Sequence, residues 1–231
     1  MVDMLTCAVC GEQNPERARF CLNCGASLAS EQRRGARKVV TVQIAGKLGP
    51  NRFAALCSQF LGQVERLAGD PAAAARWLRW GAGILERMGE RGLRSELTAN
   101  LARALADAGH DDEALEEAGR SGELAVRDDL YAQVERRGPL AAVLARRGRL
   151  EAAERVAGEA VELGAGSDML GMQAGALLDL AGVLRLAGRS GEAAPLARQA
   201  LALAERKGHL VAAARARELL ATAQPGGTAA P

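Results

Sequence analysis

The sequence predicts an all-α protein, a solenoid of stacked helix pairs that follows a small cysteine-rich segment. Two observations predict this arrangement. Four of the five cysteines lie within residues 7–24, and from about residue 51 one apolar pattern returns every 39 or 40 residues. Hydrophobic residues make up 48% of the chain but aromatic residues only 3%. The core must therefore be built from Leu, Val and Ala, of which Leu and Ala favour helices.

The first element is a pair of Cys-x-x-Cys motifs, each followed by a glycine that allows the tight turn around a metal. Four thiolates complete a closed tetrahedral Zn²⁺ site, which has no open position for catalysis. About 30 residues cannot bury a sufficient core, so the metal would supply the folding free energy. Two disulfides or an iron–sulfur centre are the alternatives. The sequence predicts zinc as the cofactor, with the ligands Cys7, Cys10, Cys21 and Cys24.

The residues around these cysteines resemble a bacterial zinc ribbon. The resemblance is carried by Cys7, Cys10, Gly11, Asn14-Pro15, Ala18-Arg19-Phe20-Cys21, Cys24 and Gly25. The segment lacks the proline that commonly follows the first cysteine of each pair, which leaves the ligand set intact. The resemblance implies a zinc ribbon over residues 5–28, followed by a linker over residues 29–50.

Residues 37–46 are the only strongly β-prone stretch, and the rest of the chain offers them no partner strand. The segment resembles the opening strand of a class III nucleotide cyclase domain. In that family the strand leads to a metal-binding aspartate, and Gly46 stands at the matching position here. The remainder of a cyclase domain is missing as well. The resemblance therefore implies common descent and predicts no cyclase activity.

The repeats are anchored by Gly69, Gly109, Gly148 and Gly188. Before three of these glycines, leucines four residues apart mark one buried helix face. Each glycine is predicted to end its helix in a left-handed conformation, and alanines four residues apart permit close packing of the next helix. Asp70 and Pro71 form a predicted N-cap and first-turn proline. The sequence predicts a helical-repeat domain over residues 51–223, with residues 209–223 as the last helix and residues 224–231 as a disordered tail.

The repeated unit resembles the tetratricopeptide repeat, with a period nearer 40 than 34 residues. The amino-acid sequence of the repeats is similar to that of the C-terminal helical region of large bacterial cyclase–ATPase regulators. That similarity lies mainly in residues 85–92, 113–115, 143–148, 177–189 and 212–217. In such proteins a zinc ribbon, a cyclase and an ATPase precede the repeats, so here the two ends are joined without the enzymatic middle.

Stacked helix pairs curve, and the first helices of the pairs line the concave face that repeat proteins use for peptides. Charged residues at the groove positions of these helices are the predicted partner-binding residues. They are Arg103, Asp107, Glu135, Arg146 and Arg185. Their mixed signs suggest no simple charge preference. The predicted partner is a protein or peptide in the groove.

The predicted function is that of a non-catalytic protein-interaction scaffold in signalling, located in the cytoplasm without a membrane span. A zinc-dependent nucleic-acid-binding regulator is one alternative, using the basic cluster Arg33, Arg34, Arg37 and Lys38. A remnant regulatory part of a cyclase-like protein is another. The formal charge of +2 opposes a strongly basic nucleic-acid domain, and two histidines leave little room for histidine-based catalysis.

Isolated residues receive simpler predictions. Cys57 is expected to be buried, and Trp77 and Trp80 are expected in the core. His110 and His209 follow glycines, so we expect both to be exposed turn residues and not metal ligands.

Overall fold

The structure is a computed structural model that describes residues 4–6, 11–15, 51–126 and 129–222. It contains two compact units, Met1–Gly49 and Pro50–Pro231. The β-prone stretch 37–46, the basic cluster at residues 33–38 and the tail 224–231 lie outside the described residues.

In the first unit, strand β1 (Met4–Thr6) pairs with strand β2 (Gln13–Pro15) in antiparallel register. Thr6 lies opposite Gln13, whose Nε2 donates a hydrogen bond of 3.0 Å to Thr6 Oγ1. Gly11 has a φ of +74°, a conformation that favours glycine. The chain that connects the two strands carries Cys7 and Cys10.

The second unit is a series of helix pairs, which confirms the predicted all-α repeat fold. Its helices are α1 (Arg52–Leu67), α2 (Pro71–Arg87), α3 (Gly92–Asp107), α4 (Asp111–Leu124), α5 (Leu130–Glu135), α6 (Arg137–Arg146), α7 (Leu150–Ala165), α8 (Leu170–Leu186), α9 (Ser190–Lys207) and α10 (Leu210–Thr222). We call α1, α3, α5–α6 and α8 the first helices of the four units, and α2, α4, α7 and α9 the second helices. Each later first helix, and α10, packs against the second helix of the unit before it.

The anchor glycines end the first helices as the sequence predicts. Gly69, Gly109, Gly148 and Gly188 all have φ between +73° and +86°. The residue after each glycine closes the turn; for example, His110 N donates to Leu105 O over 2.9 Å. The predicted cap at Asp70 is also confirmed, since Ala73 N donates to Asp70 Oδ1 over 2.8 Å. These caps set where each helix pair turns back on itself.

Alanine produces the close packing inside the units. Ala114 and Ala118 of α4, and Ala153 and Ala157 of α7, are at most 1% exposed. Without bulky side chains at these positions the second helices can approach the first helices closely. The core is therefore a chain of small apolar clusters along the solenoid, as expected when each unit contacts only its neighbours.

The first helix of the third unit differs from the others because it consists of two pieces, α5 and α6, joined at Arg136. Pro139 is the third residue of α6 and has no N–H to bond with Glu135 O, so the hydrogen-bond ladder is interrupted there. The sequence pattern anchored on Leu140 and Leu144 predicts the unit but not this break.

Three predictions for isolated residues, those for Trp80, Cys57 and His209, are wrong. Trp80 is 36% exposed, and Cys57 is half-buried. Trp80 faces outward because α2 turns this side toward solvent, where its ring packs edge-to-face on Trp77 at a centroid distance of 6.4 Å. His110 is exposed as expected, whereas His209 is half-buried. Among the described residues, no helix has the length and apolar character needed to cross a bilayer.

Candidate interaction groove

A cavity of about 290 Å³ lies on the side of the solenoid formed by the first helices. Side chains from α1, α3, α5, α8 and α10 all contribute to its wall. Representative wall residues are Arg66, Asn100, Tyr131, Gly175, His209 and Arg215. The first helix of every unit therefore supplies at least one wall residue.

Four helices are tied together in the wall of this groove by an ionic network. The guanidinium of Arg103 on α3 donates to both carboxylate oxygens of Asp179 on α8, over 2.8 and 3.2 Å. Arg103 Nε also lies 3.4 Å from Glu135 Oε2 on α5. Arg215 Nη2 on α10 donates to Asp179 Oδ1 over 3.2 Å. We call Arg103, Glu135, Asp179 and Arg215 the groove network; its formal charges sum to zero.

The broken first helix makes room for this network. A Cβ on Gly138 would overlap Arg103 Nη2 and Asp179 Oδ2, so only glycine fits beside the ion pair. The carbonyl of Glu135, which Pro139 leaves without its helical partner, accepts a hydrogen bond of 3.4 Å from Arg103 Nη2. The Gly138-Pro139 dipeptide thus supplies both the space and the free acceptor that Arg103 uses.

The ionisation of the network residues reflects their burial and pairing. Burial acts to raise the pKa of Asp179, but the charges and hydrogen bonds of Arg103 and Arg215 outweigh it and hold that pKa below its ordinary value. For Arg103 burial acts to lower the pKa, yet Asp179 and Glu135 raise it further above its ordinary value. Both groups therefore remain charged at neutral pH.

Tyr131, the single tyrosine of the chain, lies in the groove wall. Burial, helped by the nearby charge of Glu135, raises the pKa of its hydroxyl to about 12. The hydroxyl is protonated at neutral pH and donates a hydrogen bond of 3.5 Å to Asn100 Oδ1, another residue of the groove wall.

The structure brings only two of the five predicted groove residues together. Arg103 and Glu135 line the cavity and contact each other. Asp107 is engaged at 3.3 Å by Arg66 from α1, and Arg146 binds Asp111 and donates to Ala106 O over 3.1 Å. Arg185 is exposed and has no ion-pair partner in the described part of the chain. These last three are not among the described residues that line the cavity.

The prediction of groove residues missed Asp179, Arg215, Gly138 and Gly175. Asp179 carried a detectable signal, because it is a lone carboxylate in the apolar run Leu177-Leu178-Asp179-Leu180. Such a charge is rarely buried unless it is paired. The partner Arg103 lies 76 residues earlier, and no local pattern identifies it.

The four predicted zinc ligands Cys7, Cys10, Cys21 and Cys24 lie outside the described residues, and the described residues themselves contain no cluster of metal-ligating side chains. The described neighbourhood fits a zinc knuckle, since the positive φ of Gly11 comes directly after Cys10 and the strands join around this motif. Four thiolates are the donor set that structural Zn²⁺ prefers.

Comparison with known proteins supports both parts of the chain. Residues 6–28 match the zinc-ribbon domain family. No curated protein sequence matches the chain.

Solved structures resemble the chain over most of its length. One holds the TPR-like repeats of a kinesin light chain from Podosopora anserina, with 19% identity, 75% of this chain and 86% of that chain covered, and a TM-score of 0.50. Another is BtubC (BKLC) from P. vanneervenii, which is 16% identical in sequence. The alignment covers 88% of this chain and 97% of that chain, with a TM-score of 0.59. At these identities the likeness shows the fold alone, a TPR-like helical-repeat solenoid, and the family match adds a zinc-ribbon domain near its N-terminus.

Proposed function

We propose that the chain is a non-catalytic protein-interaction scaffold whose groove binds a segment of a partner protein. The observation that carries this proposal is the shared cavity, to which every helix pair contributes a wall residue. Concave surfaces of this kind are what solenoids use to bind extended partners. The TPR-like fold is consistent with this role.

The charges around the groove favour recognition by shape and hydrogen bonds over recognition by net charge. Arg66 is paired with Asp107, and Arg103 and Arg215 are paired within the groove network. The apolar wall residues Leu67, Met172 and Val211 provide contact area beside these pairs. We therefore expect affinity that falls only slightly as salt is raised, in contrast to the steep salt dependence of nucleic-acid binding.

A catalytic role is disfavoured by the state of the ionisable groups. The wall cations Arg66, Arg103 and Arg215 are held in ion pairs, and burial raises the pKa of Tyr131 to about 12, further from neutral pH. General acid–base catalysis needs a positioned group that exchanges protons, and Nδ1 of the wall residue His209 already accepts a hydrogen bond of 3.2 Å from Ala212 N.

We further propose that Cys7, Cys10, Cys21 and Cys24 hold one Zn²⁺ ion. Such a closed site stabilises a small fold and leaves no coordination position for substrate. A reducing cytoplasm would keep these thiols available for the metal. The proposal includes a role in signalling, in which the zinc ribbon is a structural or docking element, because the sequence resembles the ends of cyclase–ATPase regulators.

The test is affinity capture of the tagged full chain from native lysate at physiological salt, with and without nuclease. Gly175→Leu fills the groove, because a Cβ at Gly175 has no neighbour within 4 Å. The matched control is Gly119→Leu, at an exposed position of α4 with equally open surroundings. We expect a discrete protein that survives nuclease, is lost with Gly175→Leu and is kept with Gly119→Leu. The proposal would be contradicted if nuclease abolished capture of the partner, or if Gly175→Leu left the amount of captured partner unchanged.

A further inference from the structure

The first helix of the solenoid, α1, has an apolar face that the equivalent helices bury. Counted back from the anchor glycines, Phe53, Phe60 and Val64 occupy positions 16, 9 and 5 residues before Gly69. They are 61%, 64% and 51% exposed. The equivalent residues of the later units are at most 8% exposed. These are Leu93, Asn100, Ala104, Ala132, Pro139, Val143, Met172, Asp179 and Val183.

The difference has a plain structural origin. In the fourth unit, for example, Met172 and Val183 are buried in clusters with Ala160 and Val156 of the preceding unit. In the described part of the chain no helix pair precedes α1. The face formed by Phe53, Cys57, Phe60 and Val64, which we call the α1 seam, is therefore a stacking surface built for another helix. A terminal unit that meets only water normally carries a polar outer face.

We propose that the α1 seam binds a second copy of this chain, with the two α1 helices antiparallel around a two-fold axis. The spacing of the seam residues is 4, 3 and 4, which is the spacing of apolar residues in an antiparallel helix pair. An axis between residues 58 and 59 sets Phe53 opposite Val64 and Phe60 opposite Cys57. Each large ring then meets a small side chain, and each contact occurs twice.

Charge at the ends of the seam agrees with this antiparallel arrangement. The same axis sets Arg52, which is well exposed and lies 3.8 Å from Glu90 of its own chain, opposite Glu65 of the other copy, so that residues of opposite charge face each other at both ends. A parallel arrangement would bring like charges together.

Head-to-tail stacking onto the other end of the solenoid is disfavoured. The last helix, α10, exposes the charged residues Arg217 and Glu218 beside the apolar residues Leu210 and Val211, so that end has a mixed surface. An apolar seam is a poor match for such a surface, whereas it matches itself. The two-fold contact also closes, so it produces a dimer and not a filament.

The area of the α1 seam determines how strongly we expect two copies to associate. At 61% and 64% exposure, Phe53 and Phe60 each offer roughly 120 Å² of free surface, so the rings of two copies would bury on the order of 500 Å² through the seam. That is below the usual area of specific, stable protein contacts. We therefore expect a weak dimer with a Kd of about 10–100 µM.

Sedimentation velocity of the full chain under reducing conditions, from about 5 to 500 µM, tests this dimer. The average mass should rise with concentration from 24.1 kDa toward twice that value. Phe60→Glu should stay at the monomer mass throughout. The control Leu210→Glu, at an 80% exposed position of α10, should behave like the unmodified chain. A monomer at all concentrations, or a Phe60→Glu variant that associates equally well, would overturn the proposal.

An exchange of residues tests the antiparallel register. Phe53→Val alone removes the large member of one pair, and Val64→Phe alone sets two rings against each other, so each should weaken association about tenfold or more. The double variant Phe53→Val/Val64→Phe restores one large and one small residue and should recover most of the affinity. If the double variant is weaker than both single variants, the register is wrong. None of these residues lines the groove, so partner capture is independent of this result.

Discussion

The guanidinium of Arg103 donates two hydrogen bonds to the carboxylate of Asp179, which lies 76 residues later and two units further along the solenoid. Both side chains are largely buried, at 13% and 7% exposure. Because contacts in a solenoid are mostly between neighbours, a pair that skips a unit fixes the curvature of the groove more directly than any local contact.

Removing one member of this pair should be costly because it leaves a buried charge without its partner. We expect Asp179→Leu to lower the free energy of unfolding by about 3 kcal/mol. The triple variant Arg103→Met/Glu135→Gln/Asp179→Leu should lose less free energy of unfolding, because no largely buried charge of the groove network then remains without a partner. Urea denaturation, followed by circular dichroism, measures the free energy of unfolding of each variant. Arg79→Ala, which removes an exposed pair with Glu113, is the control and should cost at most about 1 kcal/mol. A cost for Asp179→Leu no greater than that of the control would contradict this account.

The space beside the ion pair predicts opposite effects at two glycines. Gly138→Ala places a methyl group against Arg103 and Asp179 and should destabilise the protein by about 2 kcal/mol. Gly175→Ala adds the same methyl group within helix α8, where it meets nothing, and should stabilise by about 0.5–1 kcal/mol. Thermal unfolding of the two variants side by side provides the comparison. Equal effects of the two substitutions on thermal stability would show that a side chain at position 138 does not disturb the ion pair of Arg103 and Asp179.

The depressed pKa of Asp179 predicts loss of stability in acid. Burial opposes ionisation, but Arg103 and Arg215 more than compensate, so the folded pKa lies below the unfolded value of about 4. The stabilisation is complete above the unfolded pKa and is lost as the pH falls through the folded pKa. Denaturation midpoints of the unmodified chain and of Asp179→Asn, measured from pH 6 to pH 3, should converge as the pH falls. A constant difference over this range would be inconsistent with the charged pair.

Zinc content tests the N-terminal site. The purified full chain should contain one zinc per molecule by elemental analysis, and Cys10→Ser should reduce this strongly because a closed site needs all four thiolates. Cys57→Ser is the matched control, since Cys57 lies on α1 and is a free thiol there. Full zinc in Cys10→Ser, or iron in place of zinc, would refute the assignment.

The fold follows from local sequence signals, whereas the groove does not. Glycines such as Gly109 and the alanines of the second helices act through φ angles and helix spacing, which depend on a few neighbouring residues. The groove network depends on residues from four helices that meet only after stacking. The spacing rule therefore located Arg103 and Glu135 but also chose Arg185, which lies exposed away from the cavity.

The helix break at Gly138-Pro139 shows why a repeat pattern does not predict ion pairs between distant helices. From the sequence alone, a proline inside a helix indicates only a lost backbone hydrogen bond at that position. Here the carbonyl of Glu135 that it leaves without a helical partner accepts a hydrogen bond from Arg103, and the adjacent glycine leaves room for Asp179. Only the packed structure relates the proline and glycine to residues on other helices.

Site-specific photo-crosslinking from position 175 tests the central proposal most directly. A photoreactive phenylalanine derivative replaces Gly175 in the groove, or Gly119 on α4 as the control, and crosslinked proteins are identified by mass spectrometry after irradiation in native lysate. We expect a discrete partner protein crosslinked from position 175 and not from position 119. Crosslinks to the same partner from position 119 alone would contradict the assignment of the groove as the binding surface.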